Sequence, residues 1–266
     1  MTNTLVSILM PTYNSSQSVI RAIQSIQKQT YINWELLISD DKSTDNTVEL
    51  IKPVLDDDRI KLYTLETNMG AGVARNVALH SARGRFIAFC DSDDYWLPEK
   101  LKTQIKFMID NKMYLTYTHY FQANSLNEMT HIVVSPDRVN YQKMLRTNYI
   151  GCLTAIYDAE YLGKMVMPDR RKRQDWLLWL RILEKIDYAY CFRQPLSVYC
   201  VNPTSLSANK RLLINATISI YKHELGMGTF KSLWMFLLFA LSYFSKENSK
   251  LKLNLIHHGR ETLMRE

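Results

Sequence analysis

Arg85-Phe86-Ile87-Ala88-Phe89-Cys90-Asp91-Ser92-Asp93-Asp94-Tyr95-Trp96 is the stretch on which the fold turns. Its apolar run, bounded by Gly84 and a polar cluster, predicts a buried strand. Three carboxylates follow at once. In an open α/β sheet, ligands gather beyond the carboxyl ends of strands. Asp91 and Asp93 stand there two apart, where a tight exit can aim both at one point. Crowded carboxylates repel one another, so a cation is expected between them. Oxygen ligands suit a hard divalent ion, Mg²⁺ or Mn²⁺, which would in turn hold a diphosphate. The alternative is that these acids cap the next helix, with Pro98 in its first turn. For Asp94 the cap alone is an adequate reading.

Outward from this stretch, strands and helices alternate. Residues 5–10 read as a strand stopped by Pro11, with Thr12, Tyr13 and Asn14 as its exit and Asn14 or Ser15 as a helix cap. The helix that follows carries Val19, Ile20, Ile23 and Ile26 on one face. Residues 34–39 form a second strand ending in Asp40-Asp41. Its helix has Val48, Leu50, Ile51, Val54 and Leu55 as apolar positions, and Pro53 ends or kinks it. A third strand covers 60–65, and a Gly-containing loop leads to a helix over 73–82 with Gly84 as its stop. This alternation predicts an α/β fold, a mostly parallel sheet flanked by helices, with the polar strand ends on one edge. Beyond it, helices are expected at 99–109, 141–146 and 174–186, and strands at 113–121, 152–157, 188–192 and 196–201. From Lys210 onward the chain reads as helical and basic.

The 266 residues suffice for one large α/β domain and a smaller appendage, and 47% apolar residues supply a full core. The net charge of +7 is concentrated in Arg170-Arg171-Lys172-Arg173 and the C-terminal tail. No nucleic-acid motif accompanies it, so anionic membrane or phosphorylated substrates are the expected partners. Four cysteines show neither metal spacing nor a disulfide framework, which points to a reducing compartment. A strand begins almost at once and no apolar run reaches about 20 residues, so neither signal peptide nor membrane span is expected.

Five segments in order carry a resemblance: Val6 to Asn14, Asp40-Asp41-Lys42-Ser43-Thr44-Asp45, Asn68-Met69-Gly70 with Ala74-Arg75-Asn76, Asp91-Ser92-Asp93-Asp94, and Gln174-Asp175 before an apolar helix. Together they resemble the family 2 inverting glycosyltransferases with the GT-A fold, over roughly residues 5 to 205. The resemblance implies that Pro11, Thr12 and Tyr13 line a nucleotide base pocket and that Asp41 meets the uracil edge. A cap for the next helix is the other reading of Asp40 and Asp41. It implies that Arg75 lies near the diphosphate or base. Asp93 would be the direct metal ligand, with Asp91 on the ribose or the metal's waters and Ser92 beside them. Asp175 would be the general base that takes the acceptor's proton, or a plain helix N-cap. Trp176 and Trp179 could offer a sugar a flat surface. Arg173, in the basic run, faces a phosphorylated acceptor or forms part of a solvated loop.

Two positions depart from the family's pattern. A Tyr-Arg-x-His sequence often follows the last strand, but here Tyr199-Cys200-Val201-Asn202 puts Asn at the His position; Asn202, Ser205 or Ser207 would have to substitute. Lys42 replaces the usual Gly after the paired acids. The first departure keeps open a catalytically silent sugar-nucleotide-binding protein. A phosphotransferase is disfavoured, because the first strand's exit offers no nucleophilic Asp. Residues 233–241 are apolar with basic flanks and suit a membrane interface, a dimer contact or the chain's own core. The expectation is a nucleotide-sugar-binding and catalytic domain over 1–208 and a helical basic region over 209–266. It would transfer sugar from a UDP-sugar to a saccharide, lipid-linked by resemblance, at the inner face of the bacterial membrane during surface-polysaccharide assembly.

Overall fold

The computed structural model describes residues 4–201, 210–247 and 250–252. Four parallel strands form the heart of the sheet: β1 (Val6–Thr12), β2 (Trp34–Asp40), β3 (Ile60–Thr64) and β4 (Phe86–Phe89), side by side in the order β3-β2-β1-β4. Helices α1 (Val19–Gln27), α2 (Thr47–Ile51) and α3 (Ala71–Ser81) make the crossovers. Side chains alternate across the pleat, so each strand feeds two cores. Ile8, Met10, Leu36, Ile38, Phe86 and Ala88 pack with α1 and α4 (Lys100–Asp110). Leu9, Leu37, Ile87 and Phe89 pack on the other side with α3 and α7 (Gln174–Leu183).

Proline does not stop β1. Leu9 accepts from Cys90 N at 3.1 Å, so Leu9 and, two residues on, Pro11 turn their backbone toward β4. The β4 ladder ends at Phe89 opposite Leu9, and no donor is needed at Pro11. Gly84 does not end α3, whose last residue is Ser81. It permits a close approach instead: a Cβ there would lie 2.5 Å from Ser7 N, and Gly84 N donates to Ser7 Oγ at 2.7 Å. Pro53 acts as expected, with α2 tightening into a 3₁₀ turn over Lys52–Asp56.

Beyond β4 the sheet turns antiparallel. In chain order come β5 (Tyr95–Trp96), β6 (Leu115–Ala123), β7 (Met129–Val133), β8 (Arg138–Val139), β9 (Ile156–Asp158), β10 (Ala189–Cys200) and β11 (Lys250–Lys252). β9 runs against both β4 and β6, and β6-β7-β11 completes that edge. The expected pair of strands at 188–192 and 196–201 is one strand, β10, irregular around Pro195 and parallel to β6. The expected strand at 152–157 opens instead as a 3₁₀ turn, Cys152–Thr154. The helices of this half are α5 (Tyr141–Arg146), α6 (Ala159–Leu162), α8 (Lys210–Ser219) and α9 (Thr229–Glu247). α8 runs on into a π-helical turn, Ile220–Glu224, and β11 interrupts the expected all-helical end. Tyr221 and Phe239 bring this region onto α7, with ring centroids 5.7 and 5.4 Å from Trp176. The expected boundary at 208, with Asn202, Ser205 and Ser207, lies outside the described residues. No helix among the described residues is long and apolar enough to cross a membrane.

Candidate active site

The site forms where the exits of β1, β2 and β4 meet the starts of α3 and α7. Odd-numbered residues of β4 face α3 and α7, and Asp91 continues that phase. Its carboxylate pairs with the guanidinium of Arg75 from α3. Arg75 is 4% exposed, and its Nη1 lies 3.8 Å from Met167 Sδ. Burial opposes its charge, but Asp91, Cys152 and Asp175 outweigh burial and hold its pKa above the ordinary value. Four groups far apart in the chain therefore share one electrostatic neighbourhood.

Asp93 is pushed up to about 6, first by burial and then by Asp91, with Arg75 and Arg21 opposing. Its backbone oxygen accepts from Arg21 Nη2 at 2.8 Å. Asp94 is no helix cap. It is buried, and its Oδ1 accepts from Cys200 N at 2.9 Å, tying the exit of β4 to the end of β10. Burial, then Asp93 and Asp91, hold Asp94 well above the carboxylate range. None of these acids caps α4, whose N-cap is Glu99.

Ser92 Oγ lies 2.8 Å from Ser15 Oγ, joining the exits of β4 and β1. Asn14 and Ser15 do not cap α1, which begins after Ser18. Asn14, at φ 47°, accepts from Thr44 N at 2.8 Å. Pro11 and Thr12 are buried and Tyr13 is exposed. Asp40 accepts from Ser43 N at 2.9 Å and fixes its own turn. Asp41 accepts from Met69 N and Gly70 N, both at 2.7 Å, and so holds the loop in front of α3. Gly70, at φ 94°, is the N-cap of that helix.

Asp175 lies in the first turn of α7, and its Oδ2 accepts from Asn148 Nδ2 at 2.9 Å. Asn148 Oδ1 accepts from Ile150 N at 3.1 Å, which sets the orientation of its amide. One turn along α7, Trp179 packs edge-on against Phe89 at 5.5 Å. Phe89 precedes Asp91 by two residues, so this contact fixes the two acids relative to each other. Asn148 was missed from sequence, since a lone Asn in a loop carries no periodic or spacing signal.

Two acceptor-side expectations need correction. Trp176 is fully buried and donates from Nε1 to Met144 O at 2.7 Å, so it presents no face to a sugar. Trp179 is equally buried. The apolar run of α7 goes into the core, which is the usual fate of large rings. Arg173 adopts φ 63° and turns inward, 4.9 Å from the Phe239 ring and 5.9 Å from that of Trp176. It does not reach out as the expected contact to a phosphorylated acceptor. Arg170 is bound to Glu224 at 2.9 Å, and Arg171 donates to Asn68 O at 3.3 Å.

No group of three or more His, Cys, Asp and Glu among the described residues makes a ready metal cage. Asp91 and Asp93 are hard oxygen donors, and burial and mutual repulsion already favour a neutralising partner at Asp93. That set fits an ion held by one or two carboxylates plus substrate phosphates, the habit of Mg²⁺.

A parallel β3-β2-β1-β4 sheet continuing into an antiparallel half, with acids at its carboxyl edge, is the GT-A arrangement of nucleotide-sugar transferases. The chain belongs to glycosyl transferase family 2, whose model matches residues 7–164. It is 43% identical over 208 residues to WfgD of Escherichia coli, a UDP-Glc:α-D-GlcNAc-diphosphoundecaprenol β-1,3-glucosyltransferase, covering 77% of this chain and 81% of that one. The fold is similar to S. aureus TarS 1–349 in complex with UDP-GlcNAc, with TM-score 0.69 and 21% identity over 91% and 73% of the two chains. It is also similar to the mannosyltransferase PcManGT of Pyrobaculum calidifontis in complex with GDP-Man and Mn²⁺, with TM-score 0.65 and 16% identity over 98% and 81%. The family match ends before Asp175.

Proposed function

We propose that the protein transfers a hexosyl or N-acetylhexosaminyl group, with inversion, from a UDP-sugar to a saccharide borne on a lipid diphosphate. The reaction belongs to bacterial surface-polysaccharide assembly at the cytoplasmic face of the membrane. The observation that carries this reading is that Asp91, paired with Arg75, and Asp175, from the start of α7, both act electrostatically on that buried guanidinium, which supports assigning the two carboxylates to the donor and acceptor sides of one site. WfgD, with its UDP-glucose donor and diphosphoundecaprenol acceptor, supports the choice of substrates.

In this reading Asp175 is the general base. The acceptor hydroxyl oxygen attacks the anomeric carbon as its proton passes to the carboxylate. The bond from that carbon to the diphosphate oxygen breaks, and UDP leaves with the electron pair. A positioned base contributes about 10²–10⁴-fold. Asn148 holds Oδ2 of Asp175 and so aims the group. Asp93, with Asp91 beside it, would hold Mn²⁺ or Mg²⁺, which when bound offsets the charge growing on the diphosphate. Arg75 pairs with Asp91 and orients its carboxylate. Pro11, Thr12 and Tyr13 line the base pocket. Asp41 steadies the loop over residues 68–70, with lone pairs left for the uracil imide. Ser92 braces the exit through Ser15.

The test is transfer from labelled UDP-glucose and UDP-GlcNAc to a GlcNAc-diphosphate-lipid acceptor, with chelator and with Mn²⁺ or Mg²⁺ restored. Product that vanishes with chelator and returns with the ion is expected. Absence of transfer from every UDP-sugar under all conditions would overturn the proposal in favour of a silent binding protein.

A further inference from the structure

The helix α9 has two unlike faces. Its inner face is taken by the protein: Ser232 and Phe239 are buried, and Phe239 packs on Trp176, the neighbour of Asp175. Its outer face carries Phe230, Leu233, Trp234, Leu237 and Leu241, all exposed, with Phe230 at 91% and Trp234 at 60%. The spacing of i, i+3, i+4, i+7 and i+11 draws them into one stripe along the helix. Surface helices ordinarily turn charge outward, so a continuous apolar stripe marks a contact surface.

The charge around the stripe selects the occupant. Lys231 is exposed in the first turn of the helix, and Lys222 and His223 are exposed in the π-helical turn that precedes it. Residues 225–246 contain no acid, and Glu224 is already bound by Arg170 at 2.9 Å and Arg181 at 3.6 Å. An apolar stripe containing Trp and Phe with a cationic border complements an anionic bilayer surface. Two copies meeting along it would share a border of one sign. With its inner face occupied, the helix lies along a surface rather than crossing it.

We infer that the outer face of α9 docks on anionic phospholipid, with Phe230, Trp234 and the three leucines entering the headgroup region. This rests on the proposed lipid-borne acceptor, and it adds how that acceptor reaches the base. The helix packs through Phe239 and Trp176 against the first turn of α7, so docking holds Asp175 within reach of the membrane surface.

The protein carries its own probe. Of its five tryptophans, Trp34, Trp96, Trp176 and Trp179 are buried and Trp234 is exposed. Acrylamide quenching of the whole chain should therefore report Trp234. Vesicles of phosphatidylglycerol and phosphatidylethanolamine should cut the quenchable emission at least threefold, and pure phosphatidylcholine vesicles much less. The double variant Leu233→Ser with Leu237→Ser should bind the anionic vesicles at least tenfold more weakly, with thermal midpoint and UDP affinity unchanged. Three results would overturn the inference: undiminished quenching with anionic vesicles, protection that appears with rising protein concentration and no lipid, or wild-type vesicle binding by the double variant. Transfer to a water-soluble acceptor without vesicles reads the transferase proposal separately.

Discussion

Replacing Lys100 by Met should change stability in a way that depends steeply on pH. Lys100 is fully buried at the start of α4 and donates from Nζ to Gln104 Oε1 at 2.7 Å and to Thr154 O at 3.1 Å. Burial lowers its pKa from an ordinary 10.5 to about 7, with nearby Cys90 opposing. At about 1.4 kcal/mol per unit, the charged side chain costs the native state about 5 kcal/mol once both states are protonated. The sign follows from proton counting. Between about pH 7 and 10 the unfolded chain holds this proton and the native chain does not, so wild-type stability rises with pH there. The Met variant escapes that term but loses two hydrogen bonds and strands the Gln104 oxygen, at a cost of about 2–3 kcal/mol. Urea unfolding should find the variant more stable by about 2 kcal/mol at pH 6. Its advantage should shrink by about 1.4 kcal/mol per pH unit above 7 and reverse by about pH 9. A difference that stays flat from pH 6.5 to 9.5 would refute the reasoning.

Three further outcomes are expected. Gly84→Ala drives a Cβ to 2.5 Å from Ser7 N and 2.8 Å from Leu5 O, so denaturant titration should show a loss of about 3 kcal/mol. Asn148→Ala removes the hydrogen bond to the Asp175 carboxylate, of a kind worth about 1.5–3 kcal/mol. Steady-state kinetics should show kcat reduced about tenfold or more with the KM for UDP-sugar unchanged, whereas a purely structural role would lower thermal stability and move both constants. Asp93→Ala should abolish the metal-dependent part of UDP binding in calorimetry while leaving the fold intact by circular dichroism. Metal-enhanced affinity in that variant would contradict its assignment as ligand.

Local signals made the parallel half of the fold legible. The alternating apolar runs of β1, β2 and β4 and the helix faces of α1 and α4 appear where period and length placed them. Pro11 misled because its cost depends on whether a neighbouring strand needs its N–H, and β4 has already ended there. The second half was harder to read because its pairings are long-range. β7, β8 and β11 are short, and they exist as strands only against β6, β10 and β7. The acids after β2 and β4 stood out as candidates because they follow apolar runs directly, and Asp175 because it opens an apolar helix. Trp176 did not yield to the same logic, since a ring suited to stacking on sugar is equally suited to a core, and only packing decides between them. Asn148 emerged only once neighbouring elements were in place, and packing alone decided which face of the apolar run over 233–241 stays exposed.

The central claim is that Asp175 removes the acceptor's proton in a cleft shared with Asp91 and Asp93. Asp175→Asn keeps the size of the side chain while removing its basicity, so single-turnover transfer is its most direct measurement. UDP-sugar should bind the variant as it binds wild type, while the rate of sugar transfer falls at least 10²-fold. Transfer at the wild-type rate with normal donor affinity would contradict the account.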